Sequence, residues 1–128
     1  MLLAPPDETE AFGGRIRVAV QRMGVGEKAA TTLALIVHEL ATNSLKYGAL
    51  SVVGGSLDIS SSGDGDDTVI VWTEHGGPKV EQPVSSGGYG SSLVQRSITG
   101  QLGGSITHDW SEAGLTVTLR MNGARLAA

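Results

Sequence analysis

One long stretch without helix breakers limits what this chain can fold into. Residues 27–47 contain neither proline nor glycine, and apolar or small side chains recur there every three to four positions, at Leu33, Val37, Leu40, Ala41 and Ser44. This spacing is typical of a helix that packs along one flank. Gly48 follows directly, as is common just after a helix C-terminus. We therefore predict a long helix over residues 27–47.

Shorter segments on both sides of this helix have the pattern of strands. Alternating or apolar runs predict strands at 15–21, 56–60, 68–73, 105–110 and 115–121, with a turn-rich stretch at 61–66 and a loop at 76–88. A second helix is expected over 90–102, because Leu93, Val94, Ile98 and Leu102 share a face. The order of elements predicts an α+β, two-layer sandwich with helices on one face of a mostly antiparallel sheet.

Length and composition limit the domain count and the partners. The 128 residues suit a single domain over 1–128, with frayed ends at about 1–12 and 122–128. The net charge of -4, without blocks of like charge, argues against a nucleic-acid partner. No cysteine is present, and no apolar run approaches the roughly 20 residues that span a bilayer. We expect a cytoplasmic protein that makes no membrane contact through this chain.

The long helix carries a polar stripe. Glu39, Asn43 and Lys46 fall within about 60° of one another on a helical projection, and we expect them to face away from the packing flank. An Asn oxygen can ligate Mg²⁺, a Lys can neutralise a phosphate, and Glu39 could orient or deprotonate a nucleophile. Considered alone, the stripe is better explained as an ordinary solvated helix face.

Two glycine clusters downstream favour a ligand site. Glu74 ends an apolar strand just before Gly76 and Gly77, which would let the backbone approach a flat ring, and its carboxylate suits an adenine amino group. Trp72 could pack beneath that ring or belong to the buried face of the strand. The run Gly88, Tyr89, Gly90, Ser91 precedes the second helix, where free N–H groups can bind phosphate. No P-loop is present, and the βαβ setting of a Rossmann motif is missing.

Taken in order, these segments resemble the N, G1 and G2 boxes of the ATP-binding domain that histidine kinases share with gyrase, heat-shock chaperone ATPases and MutL. More narrowly, the run HELATNSLKYGALS at 38–51 followed by Trp-Thr-Glu at 72–74 resembles the HWE histidine kinases. That family is named for its N-box histidine and its Trp-X-Glu, which match His38, Trp72 and Glu74 here. The resemblance covers about residues 2–121.

The resemblance implies a Bergerat (GHKL) fold that holds ATP and Mg²⁺ between the long helix and a lid at about 78–87. It implies that Asn43 is the Mg²⁺ ligand, that Glu39 activates the accepting imidazole, and that Glu74 anchors adenine. His38 joins Glu39 in the implied catalytic pair, although a hydrogen bond on the helix flank is an equal alternative for it. The other implied ATP contacts are Lys46, Tyr47, Gly76, Gly77, Gly88, Tyr89, Gly90, Ser91 and Leu93.

The implied function is that of the catalytic domain of a two-component sensor histidine kinase, which transfers the γ-phosphoryl group of Mg-ATP to a histidine. His38, His75 and His108 do not lie on a dimerisation helix, so the acceptor must belong to a dimerisation and phosphoacceptor domain of the same or another kinase chain, with a response regulator downstream. We expect His75 and His108 at the surface, without a metal role. The start of the chain suggests a piece of a longer kinase, and a free-standing domain stays open. The alternative is a stand-alone GHKL regulator or phosphotransfer scaffold, anti-sigma-like or a serine kinase, that acts by docking a partner.

Overall fold

The computed structural model describes residues 14–21, 23–78, 91–112 and 114–128, with only the backbone at 91–94. Five strands and three helices form in the order β1 (Ile16–Ala19), α1 (Glu27–Lys46), β2 (Ser56–Asp64), β3 (Asp67–His75), α2 (Ser91–Gln101), β4 (Ser105–Ser111), β5 (Gly114–Asn122) and α3 (Gly123–Ala127). A single 3-10 turn, Ala49–Ser51, follows α1. None of the helices in the described part of the chain is long and apolar enough to cross a membrane.

The five strands form one mixed sheet in the order β1-β2-β3-β5-β4. β1 pairs with β2 in parallel, and the other three pairings are antiparallel. The parallel pair is joined through α1, because two parallel neighbours need a crossover connection. The predicted α+β sandwich with a mostly antiparallel sheet is therefore confirmed.

The core lies between the helices and one face of the sheet. Alternate residues of β3 and β5 are buried, as expected for strands with one packed face. The helices cover this face with apolar side chains from α1, α2 and α3, and the main members of the cluster are Leu33, Ile36, Leu40, Ile70, Trp72, Ile98, Leu102, Val117, Leu119 and Leu126. At the end of β3 that lies nearest α1, the same face carries a glutamate instead of an apolar residue.

The packing face of α1 differs from the predicted one. Thr32 and Ile36 are buried, while Val37 and Ala41 are only partly buried. The buried face is therefore turned by roughly 60° toward the polar stripe, taking 100° per residue. The prediction that the stripe faces away from the packing surface is wrong: it borders that surface. The pattern of apolar and small residues missed this because Thr32 can be buried, with its hydroxyl bonded to the Lys28 carbonyl oxygen at 3.2 Å and to the Gln101 side chain.

Two further segments are more ordered than the sequence predicts. The turn-rich stretch 61–66 continues β2 and β3, and the turn itself contains only Gly65 and Asp66. Arg120 from β5 holds the two strands together beside this turn through Asp64 and Asp67, at 2.6 and 2.9 Å. The residues after Met121, predicted to fray, form the short helix α3. Leu126 of this helix is 1% exposed, so its side chain anchors α3 in the core.

Candidate functional site

The most unusual feature of the core is a buried carboxylate. Glu74 is 5% exposed and lies on the packed face of β3. Its Oε1 accepts hydrogen bonds from the Ser44 hydroxyl and the Ala49 backbone N–H, both at 2.9 Å, and its Oε2 accepts one from the Trp72 indole N–H at 2.9 Å. A buried charge is costly unless its oxygens are hydrogen-bonded. Three neutral donors do this here, and within the described residues no cation pairs with Glu74.

The chain reaches this arrangement through simple local rules. Trp72 and Glu74 are two positions apart on one strand, so both side chains project from the same face. Ser44 lies on the buried face of α1, close to its C-terminus. The helix ends with the Tyr47 and Gly48 N–H groups donating to the Asn43 and Ser44 carbonyl oxygens, which turns the chain toward the carboxylate. A side chain at Gly48 would collide with Oε1 of Glu74.

The loop after β3 packs directly against the end of α1. A Cβ at Gly77 would stand 2.7 Å from the Ala49 Cα and 2.8 Å from its nitrogen, closer than real Cβ contacts allow. Gly76 has a φ of +72°, a conformation that glycine adopts without strain. The glycines next to Glu74 therefore bring two backbone segments into contact around the buried carboxylate.

The polar stripe of α1 lies beside this centre. Glu39 and Asn43 are half-buried, while Lys46 and Tyr47 are exposed. Neither the Glu39 carboxylate nor the Asn43 side-chain amide makes a hydrogen bond to another described residue. Both therefore keep free oxygen acceptors, the donor type that Mg²⁺ prefers. No group of three acidic or histidine ligands forms in the described ranges, so a metal here would need oxygens from a phosphate or from water.

The three histidines lie on three different elements, α1, β3 and β4. His38 is exposed, about 100° around α1 from Glu39. Within the described part of the chain it has no hydrogen-bond partner, so the hydrogen bond on the helix flank, one of its two alternatives, is not observed. His75 pairs with Asp58 at 3.1 Å. His108 stacks on Trp110, with ring centroids 6.2 Å apart, and burial lowers its pKa.

Several predicted contacts fall outside the described residues. These are Gly88, Tyr89, Gly90 and the lid at 78–87 beyond Pro78. Ser91 begins α2 and Leu93 lies in its first turn, but their side chains are not among those described. The structure thus brings Glu74 and Gly77 against the C-terminal end of α1 and the turn after it, through Ser44 and Ala49. Glu39 and Asn43 lie on α1 itself.

Sequence reasoning missed the donors that hold Glu74. Ser44 was assigned to the packing flank of α1 as a small residue, yet its hydroxyl bonds to the carboxylate. The available signal was its polarity, because a hydroxyl on a packed face needs a partner. The same holds for the indole N–H of Trp72, which belongs to the strand's buried face.

Comparison with known proteins identifies the chain. No family model matches it. Blue-light-activated histidine kinase 1 of Erythrobacter litoralis is 40% identical over 112 residues, which cover 86% of this chain and 31% of that protein. A blue-light-activated histidine kinase of Brucella anthropi is 35% identical over 119 residues, 90% of this chain and 24% of that protein. This chain belongs to the histidine kinases. The histidine kinase resemblance predicted from the sequence is thereby confirmed.

Solved histidine kinase structures share the fold. The histidine kinase domain of the Erythrobacter litoralis EL346 blue-light activated kinase superposes with a TM-score of 0.74 at 20% identity, over 93% of this chain and 57% of that chain. The catalytic domain of histidine kinase ThkA gives 0.65 at 15% identity, over 91% and 83%. The chain spans a third or less of the length of the two curated relatives. Its fold matches that of the solved histidine kinase domains.

Proposed function

We propose that this chain is the ATP-binding catalytic domain of a two-component sensor histidine kinase. It binds Mg-ATP and transfers the γ-phosphoryl group to a histidine on a dimerisation domain that is not part of this chain. The observation that carries the proposal is the buried, fully oriented carboxylate of Glu74 beside the free oxygen acceptors of Glu39 and Asn43.

Glu74 is the proposed adenine anchor. A carboxylate can accept about four hydrogen bonds, and the protein supplies three of them. Oε2 receives only the Trp72 donor, so it retains room for the exocyclic amine of adenine. Gly77 adds no side chain beside it, and the Ala49 backbone packs there instead.

The stripe on α1 is the proposed phosphate side. Asn43 would hold Mg²⁺ through its amide oxygen, and Lys46 would place an ammonium near the phosphates. Bound magnesium supplies charge neutralisation on the transferring phosphoryl group. The contacts of Tyr47, Gly88, Tyr89, Gly90, Ser91 and Leu93 with the phosphates or the lid stay part of this proposal.

Glu39 is the proposed base. The acceptor imidazole attacks the γ-phosphorus with one ring nitrogen, the bond between that phosphorus and the ADP oxygen breaks, and Glu39 takes the proton from the other ring nitrogen. Its half-buried carboxylate, without a hydrogen-bond partner in the described ranges, is available for that proton. His38 lies on the exposed side of α1, where an incoming acceptor segment could contact it.

The partners follow from the same reaction. The acceptor histidine belongs to a dimerisation and phosphoacceptor domain, and the phosphoryl group then passes to a response regulator. A structure of ThkA in complex with the response regulator protein TrrA supports this kind of partner. The matched part of that ThkA chain is 14% identical to this one, so the support concerns the fold that presents the site.

Calorimetry with ADP, with and without Mg²⁺, tests the binding step, and labelled ATP with a separately produced dimerisation domain of the Erythrobacter relative tests transfer. We expect Mg²⁺-dependent heat and an acid-labile phosphohistidine on the acceptor. Absence of both heat and thermal shift would reject nucleotide binding. Acid-stable phosphate on an acceptor protein would favour the serine kinase alternative, and binding without any transfer would favour the docking regulator.

A further inference from the structure

An arginine ahead of the first strand is bound to the loop that follows α1. The Arg15 Nε donates to the Gly55 carbonyl oxygen at 2.8 Å, and its Nη2 donates to those of Ala49, at 3.2 Å, and of Val52. We call residues 48–55 the Ala49 loop. No acidic side chain of the described residues pairs with Arg15. Its guanidinium therefore binds backbone oxygens and forms no ion pair with a described residue.

The opposite side of the Ala49 loop faces the nucleotide site. The N–H of Ala49 donates to Oε1 of Glu74 at 2.9 Å, while the carbonyl oxygen of the same residue accepts from Arg15. Gly77 packs against Ala49 so closely that no Cβ would fit between them. Ala49 is thus held from one side by Arg15 and from the other by the carboxylate and the glycine loop.

Arginine suits this task better than any other side chain. Its planar guanidinium presents five donors in a fixed arrangement, whereas a lysine ammonium is a point charge on a flexible stem. The three carbonyl oxygens come from residues 49, 52 and 55, which span the whole loop after α1. One rigid group that binds all three fixes the path of the loop and removes alternative orientations of the Ala49 N–H.

We propose that Arg15 is a positioning residue of the nucleotide site: by clamping the Ala49 loop it orients the N–H that aims Glu74 at the adenine amine. The inference rests on the proposed function, because it assigns Arg15 a part in adenine recognition. Arg15 makes no hydrogen bond to Glu74 itself, so its effect passes through the backbone of Ala49, whose carbonyl oxygen it binds and whose N–H binds Glu74. Replacing Arg15 should therefore change the preference between nucleotide bases more than the affinity for the phosphates.

The test compares ADP with inosine diphosphate, which carries a carbonyl oxygen in place of the 6-amino group. Calorimetry in Mg²⁺ on the full chain measures both affinities for the wild type, Arg15→Met and Arg15→Lys. We expect Arg15→Met to weaken ADP binding by about fivefold, the value of one hydrogen bond, while inosine diphosphate binding changes little. The preference for ADP then falls by the same factor, and Arg15→Lys gives an intermediate value.

Arg125→Met is the matched control. Its guanidinium also bonds to a backbone oxygen, that of Gly100 at 3.0 Å, but it lies on α3, which follows the end of β5 that pairs with the start of β3. Glu74 lies near the other end of β3. We expect the control to keep the wild-type preference for ADP, whatever its melting temperature.

The outcomes distinguish a failure of the role of Arg15 from a failure of the proposed nucleotide binding. A lower melting temperature in Arg15→Met with an unchanged ratio of the two affinities means a purely structural role and overturns the inference. If Arg15→Met is unfolded by circular dichroism, an unchanged ratio in folded Arg15→Lys overturns it equally. A wild type that binds neither nucleotide contradicts the proposed function, and equal wild-type affinities contradict the adenine role of Glu74.

Discussion

The indole nitrogen of Trp72 donates a 2.9 Å hydrogen bond to Oε2 of Glu74, two residues further along the same strand. Both side chains are buried, at 3% and 5% exposure. The spacing Trp-X-Glu allows this bond because alternate residues of a strand share a face. Trp72 thus has two roles in one position: its ring fills the core, and its N–H fixes the rotation of the carboxylate.

Trp72→Phe should separate these two roles. Phenylalanine keeps most of the ring contacts but removes the donor, so Glu74 loses one of its three hydrogen bonds. We expect a loss of about 1–3 kcal/mol in the free energy of unfolding, together with weaker ADP binding. Urea denaturation and calorimetry measure the two effects. Trp110→Phe, on the edge strand β4, is the control and should leave ADP affinity near the wild-type value; an equal loss in both variants would contradict the role of the N–H.

Gly77→Ala tests the contact between the loop after β3 and the end of α1. The added methyl would stand 2.7 and 2.8 Å from the Ala49 Cα and nitrogen and 3.0 Å from the Gly48 carbonyl carbon, so one of the two segments must move. Overpacking of this kind costs about 1–3 kcal/mol, and we expect ADP affinity to fall with it. Thermal melting and calorimetry are the measurements.

Gly63→Ala is the matched control for that change. Gly63 lies in the exposed end of β2, and a Cβ there has no neighbour within 4 Å. The substitution should leave stability within about 0.5 kcal/mol of the wild type. The steric argument fails if Gly77→Ala is as harmless as this control.

Asn43→Ala and Glu39→Ala should separate nucleotide binding from phosphoryl transfer. Both residues lie on α1, where alanine favours the helix, so neither change should unfold the chain. We expect Asn43→Ala to lower Mg²⁺-dependent nucleotide affinity by about tenfold or more, equivalent to about 1.4 kcal/mol. Glu39→Ala should keep binding and remove transfer to an added dimerisation domain. Equal loss of binding in the two variants would argue against separate roles.

The fold could be predicted from the sequence because periodicity and glycine position decide element type. The long helix and the succession of strands and helices along the chain were predicted, and the polar stripe was identified on α1. The predicted third strand ended at Thr73, whereas β3 continues through Glu74 to His75. The rotation of α1 was mispredicted, since the burial of Thr32 depends on Gln101, which is distant in sequence. The clamp by Arg15 was also missed, because an arginine that binds backbone oxygens leaves no sequence motif.

His108 should make stability depend on pH. Burial lowers its pKa below the usual 6.5, so in the unfolded chain this histidine takes up a proton at a higher pH than in the folded chain. Stability therefore falls as the pH drops through the unfolded value, and this contribution is absent well above it. Between about pH 7.5 and about pH 5.5, the melting temperature of His108→Gln should fall less than that of the wild type. Parallel curves for His108→Gln and the wild type would rule out His108 as the cause.

The edge strand β1 has a further consequence for the site. It has four residues, the fewest of the described strands, and it pairs on one side only. Short edge elements open at a lower free energy than the core, and Arg15 stands at the start of this one. In the proposed site, nucleotide binding needs Ala49 and Glu74 in place. A bound nucleotide should then slow amide hydrogen exchange in β1, on the far side of the Ala49 loop. The least protected strand of the sheet would then report whether the site is filled.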